Sequence, residues 1–216
     1  MYPQKSLYSW LTWPPEQATN ISVVMVLRCC PAGLLLWLAL VLPAGGAESN
    51  LSTHFYPVDG APEAENFALE DRFGTKFQLS EYRGQVVIVN FWATWCSPCL
   101  AELPTMQTAW EFLSDGPFEI LAINVGEEQS VIDSFLDNFD ESLRFPVLVD
   151  QKMEVVRKWR VRGVPTTYIV DQAGRLVYFA EGGLDFASEE VLDRIRELMR
   201  ESAEVSLRSA RLADSS

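Results

Sequence analysis

The run from Val86 to Phe91 is the feature that most limits the folds open to this chain. All of its residues except Asn90 are apolar, and most are β-branched, which predicts a strand buried on both faces. A helical pattern follows, and then a second apolar run from Phe118 to Val125. A strand-helix-strand unit of this length predicts a right-handed parallel crossover. The chain is therefore expected to form an α/β fold with a central mixed sheet.

The helix between these strands is predicted to run from Cys96 to about Ser114. Apolar residues recur along it at spacings of three and four, which makes one apolar stripe. The members of this stripe are Leu103, Met106, Trp110 and Leu113. Pro104 lies inside the helix and should bend it, because proline removes a backbone donor.

Shorter patterns predict the remaining elements. An N-terminal hairpin is expected from residues 67–71 and 76–79, and an antiparallel hairpin from residues 166–170 and 176–179. Ser188 should cap a last helix that turns Val191, Ile195 and Leu198 toward the sheet. Between the hairpins we expect a helix at 131–139, a strand at 145–149 and a helix at 153–159, which we interpret as an excursion from the sheet.

The N-terminal region predicts export. The stretch from Ile21 to Ala47 is apolar with Arg28 as its one charge. The run from Leu34 to Leu42 within it is shorter than the roughly 20 residues of a spanning helix and is typical of the apolar region of a signal peptide. Small residues at Gly45 and Ala47 favour cleavage after Ala47, and translation from Met25 would give a more normal leader. The alternative is an uncleaved membrane anchor.

Length and charge define the body. With 216 residues, we expect a signal peptide or signal anchor at 1–47, a linker at 48–61, one domain at 62–204 and a polar tail at 205–216. The formal net charge is -13, so nucleic acid is not an expected partner. The one basic run, at residues 157–162, is interpreted as a solvated face, with docking of a partner near Pro165 as the alternative.

The pair Cys96 and Cys99 carries the predicted chemistry. A cysteine at the first turn of a helix lies beside unpaired backbone N–H groups and the positive end of the helix dipole, which stabilise the reactive thiolate. We therefore predict Cys96 as the attacking sulfur. Cys99, one turn later, is predicted as the resolving thiol. Ser97 and Pro98 between them should tune the reduction potential.

Two other interpretations of the pair remain open. A C-x-x-C can be half of a zinc site, but His54 is the chain's single histidine, and Cys29 and Cys30 lie in the leader. We therefore predict no bound metal. The pair can also be an inert structural disulfide, although its expected place at a helix start favours reactivity.

The motifs resemble those of the TlpA/ResA-like thioredoxin family. W-C-S-P-C at Trp95–Cys99 resembles the family's W-C-x-P-C, Pro104 resembles its helix-bending proline, and G-V-P-T-T at Gly163–Thr167 resembles its cis-proline loop. The resemblance covers residues 62–199, with residues 127–146 resembling the family's insertion. It implies a thioredoxin fold with an N-terminal hairpin extension.

The resemblance also implies roles for further residues. A cis-proline at Pro165, with Val164 and Trp95, is expected to contact the substrate opposite the cysteines. Glu102 matches an acid that assists proton transfer, a role open to a carboxyl group of raised pKa; the alternative is a solvated surface glutamate. Asn90 stands where cytoplasmic thioredoxins have a buried aspartate, which favours Glu102 as its substitute.

The expected function is that of an extracytoplasmic thiol-disulfide oxidoreductase. The family resemblance implies reduction of disulfides in exported proteins, for example in cytochrome c biogenesis, with electrons from a membrane thiol donor. No cofactor is expected beyond the redox-active Cys96–Cys99 disulfide. The predicted location is the periplasm or the outer face of the cytoplasmic membrane. A disulfide oxidase or isomerase, and a metal-binding chaperone that uses both thiols, remain as alternatives.

Overall fold

The structure is a computed structural model that describes residues 51–52, 54–140 and 142–200. The predicted leader and the predicted polar tail lie outside these residues. Within the described part, no helix combines the length and the apolar character needed to cross a membrane.

The body is a mixed sheet with helices packed against it, as predicted. Its strands, in chain order, are β1 (Tyr56–Pro57), β2 (Ala68–Glu70), β3 (Lys76–Gln78), β4 (Val86–Trp92), β5 (Phe118–Val125), β6 (Val147–Asp150), β7 (Thr166–Val170) and β8 (Leu176–Glu181). Its helices are α1 (Ser97–Leu113), α2 (Gln129–Asp137), α3 (Glu154–Lys158) and α4 at residues 189–200, with a short 3-10 helix at Leu79–Tyr82.

The strand predicted from the sequence, β4, lies inside the sheet. The six-stranded central sheet has the order β1-β8-β7-β4-β5-β6, and β2 and β3 form a separate antiparallel hairpin. All residues of β4 are buried. It pairs in parallel with β5 and antiparallel with β7. The apolar run in the sequence therefore correctly predicted an interior strand. A strand with neighbours on both edges and helices over both faces has no surface exposed to water.

The strand β6 corrects the predicted excursion from the sheet. It pairs in parallel with β5 and forms one edge of the central sheet. Val147 and Leu148 are buried, and the backbone groups on the outer side of β5 need partners, since buried N–H and C=O groups are almost always paired. Pairing of β6 with β5 buries these two side chains and also provides the backbone partners that β5 needs.

The segment predicted as a linker contributes the other edge. Tyr56 and Pro57 pair with Phe179 and Tyr178 of β8, and the rings of Tyr56 and Phe179 lie 5.6 Å apart. Proline is tolerated at this position because an edge strand has one side without a pairing partner. The ordered body thus begins before residue 62, where the sequence placed its start.

The two long helices agree with their sequence patterns. In α1, Leu103 and Met106 are fully buried, and Pro104 lies inside the helix. The backbone N–H of Val191 donates to Ser188 Oγ at 3.4 Å at the start of α4. Val191 and Ile195 are fully buried. The helices α2 and α3 begin and end within two residues of their predicted bounds.

Candidate functional site

The turn between β4 and α1 presents Cys96 at the start of the helix. The backbone N–H of Cys96 donates to the carbonyl of Ala93 at 3.2 Å, which closes the turn. Cys96 itself has extended backbone and caps α1, and its Sγ accepts a hydrogen bond from the backbone N–H of Cys99 at 3.3 Å. A sulfur in this position receives the partial positive charge of the helix start, which favours thiolate over thiol.

Cys96 and Cys99 form a disulfide, with Cα atoms 5.2 Å apart. Cys96 is 5% exposed, and Cys99 is completely buried. The accessible surface of Cys96 is smaller than the sequence argument expected, because the turn and the loop before β7 cover most of it. A partner approaching from solvent therefore meets Cys96 and not Cys99.

The loop before β7 lies against this disulfide. The Val164–Pro165 peptide bond is cis, the geometry that the resemblance implied. The carbonyl oxygen of Val164 lies 3.6 Å from Cys96 Sγ, and the carbonyl of Pro165 accepts from the backbone N–H of Gly182 at 2.9 Å. Val164 thus places its carbonyl group beside the sulfur, two residues before β7 begins at Thr166.

Glu102 is completely buried behind the cysteines. Its Oε1 accepts a hydrogen bond from Asn90 Nδ2 at 2.7 Å, and its Oε2 accepts from the backbone N–H of Leu184 at 3.0 Å. Burial raises the pKa of Glu102 to about 8, although these two hydrogen bonds oppose the rise. The alternative of a solvated surface glutamate is wrong.

Asn90 connects the three elements that surround this carboxyl group. Besides Glu102 on α1, its Nδ2 group donates to Thr167 Oγ1 on β7 at 3.0 Å. Both Asn90 and Thr167 are completely buried. A polar residue in an otherwise apolar central strand was the sequence signal, because such a side chain must find a buried partner.

Glu127 is a residue that sequence reasoning did not assign to the site. Its two carboxylate oxygens accept from the backbone N–H of Thr94 at 2.8 Å, from Thr94 Oγ1 at 2.6 Å and from Asn124 Nδ2 at 2.7 Å. It therefore holds the turn that precedes Cys96 against the end of β5. The available signal was Asn124, a buried amide in an apolar strand.

The other residues predicted for the site lie around the disulfide. Ser97 and Pro98 are exposed in the first turn of α1. Trp95 is 70% exposed immediately before Cys96, so its ring is available to a partner. Trp92, in contrast, is buried and packs against Phe135, with ring centroids 5.8 Å apart.

The described residues contain no group of three or more His, Cys, Asp or Glu side chains arranged to hold a metal ion. The chemistry that the site itself offers is dithiol-disulfide exchange, with a buried carboxyl group of raised pKa one helical turn beyond Cys99.

Comparison with known proteins agrees with this geometry. A family model described as the AhpC/TSA family matches residues 61–179, more than half of the chain. The thiol-disulfide oxidoreductase ResA of Geobacillus kaustophilus is 35% identical over 134 residues, 62% of this chain and 76% of that protein. The ResA protein of Oceanobacillus iheyensis is 32% identical over 172 residues, 79% of this chain and 85% of its own length.

Solved structures show the same fold. The exposed lipoprotein thioredoxin Etrx1 of Streptococcus pneumoniae is 30% identical, with a TM-score of 0.53 over 62% of this chain and 99% of that one. The family match, the extent of the ResA alignments and the shared fold agree with one another, and the chain belongs to the AhpC/TSA family as a ResA-like thiol-disulfide oxidoreductase of the thioredoxin fold.

Proposed function

We propose that this oxidoreductase works as a reductase of disulfide bonds in exported proteins, with Cys96 as attacking sulfur and Cys99 as resolving sulfur. The observation that carries the assignment of roles is the unequal burial of the pair: Cys96 reaches the surface at the helix start beside Val164, whereas Cys99 has no exposed surface. The Cys96–Cys99 pair itself carries the two electrons in its dithiol form and becomes the disulfide when it gives them up, so the reaction needs no other cofactor.

The reaction consists of two exchanges that conserve electrons. The thiolate of Cys96 in the reduced protein attacks one sulfur of the client disulfide, forms a mixed disulfide and releases the first client thiolate. The thiolate of Cys99 then attacks Cys96 Sγ, which forms the Cys96–Cys99 disulfide and releases the second client thiolate. The client gains two electrons and two protons, and a membrane thiol donor restores the dithiol by the reverse exchange.

Glu102 suits the proton transfers of the second exchange. Cys99 is buried, so its thiol must lose a proton to a neighbouring group before it can attack. Glu102 follows one helical turn later on the same face of α1, and a pKa of about 8 allows its carboxyl group to take up and return a proton near neutral pH. Val164, Pro165 and Trp95 would contact the client chain.

Two observations support an extracytoplasmic location and exported clients. The first is the apolar N-terminal stretch with its small residues at Gly45 and Ala47, which predicts export by a signal peptide or membrane anchoring. The second is that similar proteins bear such descriptions, among them the exposed lipoprotein of Streptococcus pneumoniae. Disulfide reduction during cytochrome c biogenesis is the client pathway that we propose.

Trapping tests the order of the two sulfurs. Cys99→Ala should accumulate mixed disulfides between Cys96 and its clients, since the resolving step is removed, and Cys96→Ala should accumulate none. Nonreducing gels of the native compartment, followed by mass spectrometry of the adducts, measure both. Equal trapping by the two variants would contradict the assigned roles.

The reduction potential of the pair tests the direction of electron flow. A reductase should have a potential near the thioredoxin value of about −270 mV, whereas a strong oxidant lies near about −120 mV. Equilibration with glutathione or dithiothreitol buffers, read by tryptophan fluorescence, gives the value. A potential near the oxidant end would replace the reductase with the oxidase or isomerase alternative.

A further inference from the structure

The segment between β6 and the cis-proline has a charge opposite to that of the whole protein. The chain carries a formal net charge of -13 with 17 Lys and Arg residues. Five of these cations lie within residues 151–163, where Glu154 is the sole carboxylate. All five are exposed, and we call them together the basic surface: Lys152, Arg157, Lys158, Arg160 and Arg162.

The cations of the basic surface differ from the others in their partners. Elsewhere in the described residues, most Lys and Arg side chains pair with a carboxylate, as Arg72 does with Asp133 and Asp137 and Arg175 with Asp171. None of the five takes part in an ion pair among residues 51–200 as far as these are described. Arg157 donates to the carbonyl oxygen of Lys152 instead. No described carboxylate therefore holds any of the five side chains in a direct ion pair, although Lys152 lines a cavity together with Glu70 and Glu154.

The basic surface leads directly to the redox site. The chain continues from Arg162 through Gly163 to Val164, whose carbonyl lies 3.6 Å from Cys96 Sγ. An extended chain spans at most about 3.5 Å per residue, so Arg162 has its Cα within roughly 7 Å of that of Val164, and Lys158 within roughly 21 Å. A client chain bound beside Val164 would reach these cations with the residues that flank its cysteine.

Carboxylates are the groups that such a surface attracts. A positive surface on a strongly negative protein gives a partner with a negative segment one favoured orientation of approach, which raises the association rate and fixes the register. A nucleic acid is a poor candidate because its phosphates would meet the negative charge of the remaining surface. An acidic peptide segment is short enough to lie on the basic surface alone.

We propose that the basic surface selects clients whose reactive disulfide is flanked by an acidic segment, and that it docks this segment beside Val164. This proposal rests on the proposed reductase function and names the class of client that the site prefers. The cations act on binding and orientation and take no part in the exchange of sulfurs.

Three model peptides test the preference. Each has one intramolecular disulfide, and they differ only in whether three flanking residues are Asp, Asn or Lys. For the unmodified protein, kcat/KM for the Asp peptide should exceed that for the Asn peptide by at least about tenfold at low salt, and the Lys peptide should be the slowest. The preference should largely disappear at about 1 M NaCl, where the Debye length is roughly 3 Å.

Two matched charge reversals locate the effect. Lys158→Glu with Arg162→Glu should remove or invert the ratio of kcat/KM between the Asp and Asn peptides. Arg196→Glu with Arg200→Glu changes the net charge equally on α4, where both arginines lie near Pro117 at the start of β5 and thus at the opposite end of the sheet from the site. This control should keep the ratio of the unmodified protein. Far-UV circular dichroism confirms that both variants fold.

The outcomes separate this proposal from the proposed function. Equal kcat/KM for the three peptides would overturn the acidic preference while leaving the reductase function intact, whereas reduction of none of them would overturn both. Equal rates together with binding to phosphatidylglycerol vesicles, lost in the Lys158→Glu and Arg162→Glu variant, would assign the basic surface to a membrane and overturn the proposal in that way.

Discussion

Replacement of Glu102 by glutamine should change how the stability of this protein depends on pH. In the folded protein, burial raises the pKa of Glu102 from its ordinary value of 4.5 to about 8. In the unfolded chain, the carboxyl group is solvated and titrates near its ordinary value. Between these two pH values, the unfolded chain therefore holds one proton fewer than the folded protein at this position.

Proton linkage gives the sign and the size of the change in free energy of unfolding with pH. The free energy of unfolding falls by about 1.4 kcal/mol per pH unit wherever the folded state binds one more proton. The stabilising contribution of the protonated carboxyl is thus complete below pH 4.5 and is lost as the pH rises to about 8. From pH 5 to pH 8, this single group should remove about 3–4 kcal/mol from the unmodified protein.

The glutamine variant lacks this titration but carries a constant cost. Its amide oxygen can still accept from Asn90 Nδ2, while its amide nitrogen faces the backbone N–H of Leu184, which donates to Glu102 in the unmodified protein. Two facing donors leave a buried group unsatisfied, which costs about 1–3 kcal/mol at every pH. The diagnostic quantity is therefore the change with pH and not the difference at one pH.

Urea unfolding of the oxidised protein at pH 5, 6, 7 and 8 measures this change. The difference in free energy of unfolding, Glu102→Gln minus unmodified, should increase by about 3–4 kcal/mol over that range. Phe112→Ala, at a position 66% exposed, removes no titratable group and should differ from the unmodified protein by the same amount at every pH. Parallel curves for Glu102→Gln and the unmodified protein would refute a raised pKa at this buried carboxyl.

Two further predictions concern packing and the turn before the cysteines. Leu103→Ala should lower the free energy of unfolding by about 2–5 kcal/mol because Leu103 is fully buried, whereas Phe112→Ala, at a position 66% exposed, should change it far less in the same urea titration. Glu127→Ala should cost about 1–3 kcal/mol and shift the reduction potential of the cysteine pair, since the donors of Thr94 lose their acceptor. An unchanged potential would show that this carboxylate does not position the turn.

Agreement with the sequence predictions is best where the evidence in the chain is local. The bounds of β5 match the predicted run from Phe118 to Val125, and α1 ends one residue before the predicted Ser114. Hydrophobic period, helix-start residues and turn residues each act over a few positions, so they can be identified without knowing what packs against them. The position of Cys96 at a helix start could be predicted for the same reason, because it depends only on neighbouring residues.

The sequence predictions differ from the structure mainly where residues distant in the chain determine which segments pair or contact one another. The pairing of β6 with β5 and of Tyr56–Pro57 with β8 satisfies the edges of strands that lie far away in sequence. Neither short segment has an alternation of apolar and polar residues long enough to predict which of its faces is buried or which strand it pairs with. The role of Glu127 was missed for the same reason, because its partner Thr94 lies 33 residues earlier.

The amino-acid sequence by itself determined the order of elements and the reactive pair: a buried strand, a turn and a helix that begins at Cys96 with Cys99 one turn later. The tertiary structure decided which sulfur reaches solvent and gave Glu102 its raised pKa. The physical reason is that helix starts and strand patterns are properties of neighbouring residues, whereas desolvation exists only once α1, β4, β7 and the chain at Leu184 have closed around one side chain.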